Sequence, residues 1–210
     1  MPTPTCEFDP AQTETRHALK EWSVAIDAAL TGELSVLLRK GGIRDRRADL
    51  DRLFRPDARN AALLFPTFEH QKSELLEPAY ADRVRPVEPG WHPETIALRG
   101  WAEVAAVLPV SSLDRALALE PYFVWNERFV RERWNWKPER PLYALVLRAY
   151  WLDRPVALRF NSRYGGCRSQ IELAESVAID RRKPAIADGR FAALLAELGE
   201  LLPESAVGES

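Results

Sequence analysis

The sequence predicts an α+β fold: a mixed twisted sheet flanked by helices, forming a single domain over residues 16–203. Three observations carry that expectation. Apolar runs of strand length and strand periodicity recur along the chain, separated by capped helical stretches. Two of them, Leu34–Leu38 and Leu142–Leu152, are nearly continuous in apolar residues, as strands covered on both faces are. The composition, 46 % hydrophobic and 29 % charged over 210 residues, suits one domain that builds its core without disulfides or metals.

Residues 1–15, with Pro2, Pro4 and Pro10, read as a disordered leader. The organising stretch follows, Leu19–Ile43. In it a strand is expected over Glu21–Ile26, with Trp22, Val24 and Ile26 on one face. A short helix over Asp27–Thr31 would be capped by Asp27 and ended at Gly32. A second strand, Glu33–Leu38, is expected at the centre of the sheet. Ala62–Phe65 reads as a third strand stopped by Pro66, with Thr67 capping a short helix that carries Glu69, His70, Gln71 and Lys72. The proline-rich stretch Pro78–Pro93 reads as a long crossing loop.

Thr95–Val107 reads as a long strand with a bulge at Gly100. Ser111 or Ser112 caps the next helix. Glu120–Arg140 combines six aromatics (Tyr122, Phe123, Trp125, Phe129, Trp134, Trp136) with five cations (Arg128, Arg131, Arg133, Lys137, Arg140) in a helix followed by an aromatic turn. Leu142–Leu152 is the strongest strand. Asp153-Arg154-Pro155 would turn it, so that Val156–Phe160 pairs back. Tyr164-Gly165-Gly166 forms a glycine-paired turn next to Cys167, which reads as a buried structural thiol. Gln170–Leu173 is expected as the final strand. Asp188 should cap an amphipathic helix over Phe191–Leu202, before a frayed tail at 204–210.

The net charge of −2 hides a local imbalance. From Arg39 to Arg55 seven basic residues face three acidic ones, a local charge of +4. Arg39 and Lys40 precede Gly41-Gly42, and Arg44 follows. That pattern is either a solvated strand end or a phosphate-binding corner, where two cations meet exposed backbone N–H groups. His70, Gln71 and Lys72 are either structural or placed to contact a base edge or a phosphate. Trp136 and Lys137 are either helix-side core or a stacking platform beside cations, as used to hold unpaired bases. Tyr164 joins the candidate nucleic-acid-binding set.

Several chemistries have no support in the sequence. It lacks a Walker loop, a dinucleotide fingerprint, a Gly-x-Ser-x-Gly elbow and any metal-ligand spacing, and its three histidines are scattered. No cofactor and no metal are expected. No apolar window approaches the roughly 20 residues of a membrane span, so no membrane partner and a cytoplasmic location are expected.

Four stretches, ALKEW with TGELSVLLRKGGI, FPTFEHQK, WNWKPERPLY and RYGGC, together resemble a bacterial family catalogued as Domain of Unknown Function 1802. They span Ala18–Cys167. Members of that family are sometimes joined to a restriction-endonuclease-type domain, which implies a setting near DNA restriction and a partner of that type. The strand, short helix, glycine and strand ending at Arg39 are also similar to PUA-like domains of the ASCH and EVE kind, mixed pseudo-barrels that often bind RNA or modified bases. Here Leu37 stands where the ASCH glutamate would fall, and the lysine of that pattern is missing.

The expected function is therefore a nucleic-acid-binding module that senses modified or unpaired bases of DNA or RNA in a restriction or defence setting. One alternative is an enzyme acting on a nucleotide or nucleic acid, with His70, Glu69, Lys40 and Tyr164 as acid, base and oxyanion groups. The other is a protein-interaction domain anchored by its tryptophans.

Overall fold

The computed structural model describes residues 12–40, 61–166 and 168–203. The leader up to residue 11, the Gly41-Gly42 turn, Arg44 and the rest of the basic run, Cys167, and the tail from 204 all lie outside the described residues.

Six strands form one mixed sheet. They are β1 (Glu14–Trp22), β2 (Val36–Lys40), β3 (Ala61–Thr67), β4 (Thr95–Val110), β5 (Leu142–Arg159) and β6 (Gln170–Ala178), in spatial order β2-β5-β4-β3-β1-β6. The pair β1–β3 is parallel and every other neighbouring pair antiparallel. Five α-helices accompany them among the described residues: α1 (Ser23–Thr31), α2 (Pro78–Ala81), α3 (Leu113–Leu117), α4 (Glu127–Asn135) and α5 (Asp188–Leu201). The fold is α+β, as expected.

The first strand lies upstream of its expected place. Glu14 and Thr15, within the segment read as leader, belong to β1, and the Thr15 hydroxyl donates to the Ala61 carbonyl at 3.0 Å. The chain is helical from Ser23. The apolar residues Val24 and Ile26 fit a strand by period two, but Ala25, Ala28, Ala29 and Leu30 are buried with them. With six of its nine residues buried, the helix leaves only the narrow stripe Ser23, Asp27 and Thr31 to distinguish it. Gly32 ends it in the left-handed conformation, φ 80°.

The second strand starts at Val36 rather than Glu33 and lies at one end of the strand order rather than at the centre. Its apolar run reports covered faces, not a central position: Val36, Leu37 and Leu38 are all buried. β3 runs through Pro66 to Thr67, and 68–72 form turns, not the expected helix. Pro66 is tolerated because the β4 pairing ends at Leu63, leaving β1 as the partner strand there. The expected crossing loop after Pro78 begins with the short helix α2.

β5 does not turn at Asp153-Arg154-Pro155. It continues to Arg159 beside β4, pairing Leu98 with Val156 and Gly100 with Trp151. The four residues Leu152–Pro155 therefore oppose the single residue Arg99, so the turn signal encodes a wide bulge. A second register shift falls between Val104 and Ala106. Beyond β2, the outer edge of β5 is completed by other backbone. Leu147 N–H donates to the Ser35 carbonyl, Trp151 N–H to Lys183, and Ala149 accepts from Ala185 N–H. β6 extends past Leu173 to Ala178. Asp188 is the first residue of α5 rather than its side-chain cap, and its carboxylate pairs with Arg148.

Two cores lie on the two faces of the sheet. The larger joins α1, α3, α4 and α5 to β2, β4 and β5. The smaller is built on Leu63, Phe65, Leu98, Trp101, Tyr150 and Tyr164, with Trp101 stacked on Tyr150 at 4.5 Å.

The sheet is strongly coiled, and one contact shows by how much. Following the pairs Ala18–Leu63–Trp101–Tyr150 across the sheet, Glu21 of β1 lies three positions above that row. Arg39, opposite Tyr143, lies seven positions below it, so the two are ten residues out of register and four strands apart. Four strand spacings alone are roughly 19 Å in a flat sheet. Yet Arg39 Nη2 and Glu21 Oε2 are 2.6 Å apart. Only coiling with barrel-like stagger brings them together.

Two substitutions test this packing. Leu147 is 2 % exposed in the larger core, so Leu147→Ala is expected to cost about 2–5 kcal/mol in chemical denaturation. At Gly100 a Cβ would lie 2.5 Å from the Tyr150 carbonyl oxygen and overlap Leu30, so Gly100→Ala is expected to cost roughly 1–3 kcal/mol. An unchanged melt in either case contradicts this packing.

Candidate functional site

The end of β2, the end of β1 and the α4 region converge. Glu21 spends both carboxylate oxygens: Oε1 accepts from Trp22 N–H at 2.9 Å and Oε2 from Arg39. Arg39 side-chain exposure is 18 % and that of Glu21 is 11 %. Lys40 is the next residue and the last of β2. Its Nζ donates to the Arg140 carbonyl at 3.1 Å and lies 5.5 Å over the Trp134 ring. It lines a hollow of about 350 Å³ with Val110, Trp134, Glu139 and Leu142. Burial lowers the Lys40 pKa; Glu139 opposes that shift and Arg133 adds to it.

α4 begins at Asn126, whose side chain accepts from Phe129 N–H at 3.2 Å and donates to the carbonyls of Glu74 and Leu76. One residue thus caps the helix and ties it to the chain after β3. Its buried face packs Phe129 against Trp125 at 4.7 Å and Trp22 at 6.4 Å. Its outer face carries the pairs Glu127–Arg131 and Arg128–Glu132. Arg133 crosses between these environments, 5.1 Å from the Phe129 ring and 5.7 Å from Trp136. Burial, then Arg39, lowers its pKa, while Glu21 raises it.

Trp136 is 49 % exposed. Lys137, held in the left-handed region at φ 50°, lies 4.3 Å from its ring. Trp136 and Asn135 line a hollow of about 740 Å³ with Glu127, Arg128, Arg131 and Glu132. The arrangement offers a ring face, two cations and a mixed set of donors and acceptors.

The other candidate residues lie elsewhere. Gln71 Oε1 accepts from the Ser23 hydroxyl at 3.2 Å and from Val24 N–H at 3.4 Å, which caps α1 from outside. His70 is exposed with φ 60°, and Lys72 is exposed. Glu69 accepts from Gly90 N–H. Tyr164 is 2 % exposed, edge-on to Phe65 at 5.9 Å, and its hydroxyl accepts from Ala174 N–H. Lys20 ties that turn down, donating to the carbonyls of Tyr164 at 2.6 Å and Gly166 at 2.9 Å. Lys20 and Glu21 are adjacent in β1, so the Tyr164 turn and the Arg39 site lie on opposite faces. Lys137 meets Trp136, Lys40 meets Trp134 two residues earlier, and Arg39 is linked to that helix end through Arg133, while Tyr164 lies apart. No contact joins Glu69, His70, Lys40 and Tyr164 into one catalytic group among the described residues.

Sequence reading passed over two clusters. Trp91, 45 % exposed, meets Phe68 edge-on at 5.8 Å, and His92 stacks on Phe160 at 3.4 Å. Their signal was hidden in a proline-rich stretch. Glu103 pairs with Arg181 and accepts from the Tyr150 hydroxyl, whose pKa is raised by burial and then by Glu103. No group of three His, Cys, Asp or Glu side chains among the described residues could hold a metal ion. No described helix is long and apolar enough to cross a membrane.

Comparisons with known proteins place these features. No curated protein sequence matches the chain. Among solved structures, a crystal structure of a mutant ASCH protein from Zymomonas mobilis is similar, with 10 % identity, a TM-score of 0.43, and coverage of 86 % of this chain and 94 % of that one. The family model described as a domain of unknown function, DUF1802, matches residues 18–197. That match takes in both edges of the sheet and the whole Trp136 region, and the chain belongs to this family.

Proposed function

We propose that the protein is a nucleic-acid-binding module that holds an unpaired base on Trp136. One observation carries this reading: a half-exposed indole has two cations over its ring, beside a hollow lined by Asn135, Arg131 and Glu132. A base has a π-face to stack on the indole and polar edges for the hollow. Base–aromatic stacking is worth about 1–3 kcal/mol. An exposed cation–π contact is worth roughly 0.5–1 kcal/mol. A base therefore displaces Lys137 from the ring with a net gain, and the freed ammonium becomes available to a phosphate.

Arg39 and Lys40 border this surface as its phosphate-binding side, with Arg44 placed there by sequence alone. His70, Gln71 and Lys72 follow β3, where Gln71 is bonded to the first turn of α1. A base carrying a modification fits a hollow of this size, and a restriction or defence setting is the one the family resemblance implies. A protein-binding surface is the second reading. It is favoured by the charge-balanced outer face of α4, where each acidic residue has a basic partner.

Fluorescence anisotropy with labelled single-stranded, duplex and modified-base oligonucleotides, at several salt concentrations, separates these readings. Trp136→Ala is expected to weaken single-strand binding by about 1–3 kcal/mol with little change in salt slope. Lys137→Ala is expected to make the log–log salt slope shallower by roughly 0.7, the release from one single-strand phosphate contact. No binding to any oligonucleotide at low salt transfers the surface to a protein partner.

A further inference from the structure

The Arg39 guanidinium is poorly served by its internal partner. Glu21 gives one oxygen to Trp22 N–H and only the other to Arg39. A guanidinium can offer two parallel N–H groups to one acceptor group, the stronger arrangement. Here Arg39 Nε is buried with no hydrogen-bond partner among the described residues. Arg133 lies against the rings of Phe129 and Trp136, on the side of α4 that approaches this pair. Its charge is felt at both Arg39 and Glu21, which shift its pKa in opposite directions. The Arg39 guanidinium thus rests on a carboxylate already half committed to a backbone amide, with Arg133 as a second cation nearby. That is a donor set with more capacity than its occupant uses.

We propose that this is a phosphate site occupied by its own competing anion: a phosphate of the bound strand takes the Arg39 guanidinium from Glu21, beside the base stacked on Trp136. The proposal rests on the nucleic-acid reading above and deepens it by naming the chemistry and regulation of the same surface. A strand phosphodiester supplies two non-bridging oxygens where Glu21 supplies one, so Nε and Nη2 of Arg39 both find partners. The carboxylate keeps its bond to Trp22 N–H, so displacement leaves it hydrogen-bonded. The internal anion also stabilises the Arg39 guanidinium when no strand is bound. It would set a threshold: weak anions do not displace it, and a polyanion anchored through stacking does.

The test uses the full chain and a labelled single-stranded oligonucleotide. Glu21→Gln, which keeps the shape and removes the charge, is expected to bind roughly tenfold more tightly, the worth of one charge-assisted contact. Its salt slope is expected to steepen by about 0.7. Adding Arg39→Gln to that variant should abolish both gains. An independent reading comes from the unaltered protein: the Arg39 Nε–H resonance should shift on oligonucleotide addition. Wild-type binding with unchanged affinity in Glu21→Gln, or with an unmoved Arg39 resonance, overturns the displacement and leaves the nucleic-acid reading standing. If Glu21→Gln fails to fold, the resonance measurement decides alone. Absence of any binding, by wild type and variant alike, overturns both.

Discussion

The structure depends on one short crossing. The chain leaves β1, fifth in the strand order, and re-enters the sheet as β2, first in the order, with only residues 23–35 between them. Nine of those residues are helix, which advances about 1.5 Å per residue. The sheet must therefore coil until its two parts come within reach, and the Glu21–Arg39 pair is the contact made when they do. Other features follow from that closeness. α1 is apolar except along Ser23, Asp27 and Thr31 because it lies in the larger core between β1, β3 and β5. Gly100 has no side chain because Leu30 of that helix occupies the space. Gly32 turns left-handed against Ala185, where the chain before α5 completes the β5 edge.

A single step along β1 separates structural from recognition chemistry. Lys20, 9 % exposed, goes to the smaller core and ties down the Tyr164 turn, its ammonium bonded to carbonyls. Glu21 goes to the other face and meets Arg39. Strand alternation places two oppositely charged residues in unrelated environments, and a one-residue slip in register would exchange them. The β1–β3 register is fixed by pairs from Ala18–Leu63 to Trp22–Thr67, so the recognition face inherits its geometry from the sheet.

Local signals were legible in the sequence and long-range ones were not. Ser112 caps α3 through Arg115 N–H, Gly32 ends α1, and Leu147 is core, each as the residues alone indicate. These outcomes depend on a few neighbouring residues. The errors came where a distant element decides. Asp153-Arg154-Pro155 has the composition of a turn, but β4 lies alongside and holds the chain on course, so the same residues bulge. Pro66 has the composition of a strand stop, but the neighbour it would offend has already ended. Gln71 has no local signature of a helix cap, because the helix it caps begins 48 residues earlier. In the candidate site, the Trp136–Lys137 turn was legible as an aromatic cluster among cations. Glu21 was not, since only the coiled sheet brings it to Arg39.

The position of β1 also constrains how the protein can be made. Its neighbours are β3 on one side and β6 on the other, and β6 begins at Gln170. At ribosomal rates of about 5–20 residues per second, roughly 5–20 s separate the emergence of these two partners. Through that interval β1 has an open hydrogen-bonding edge, the feature that invites pairing with a foreign strand. The outward polar residues Glu14, Arg16 and His17 along it are then the guard of a nascent chain before they are part of a finished surface, and Arg16 keeps its place afterwards by pairing with Glu172 of the late-arriving strand.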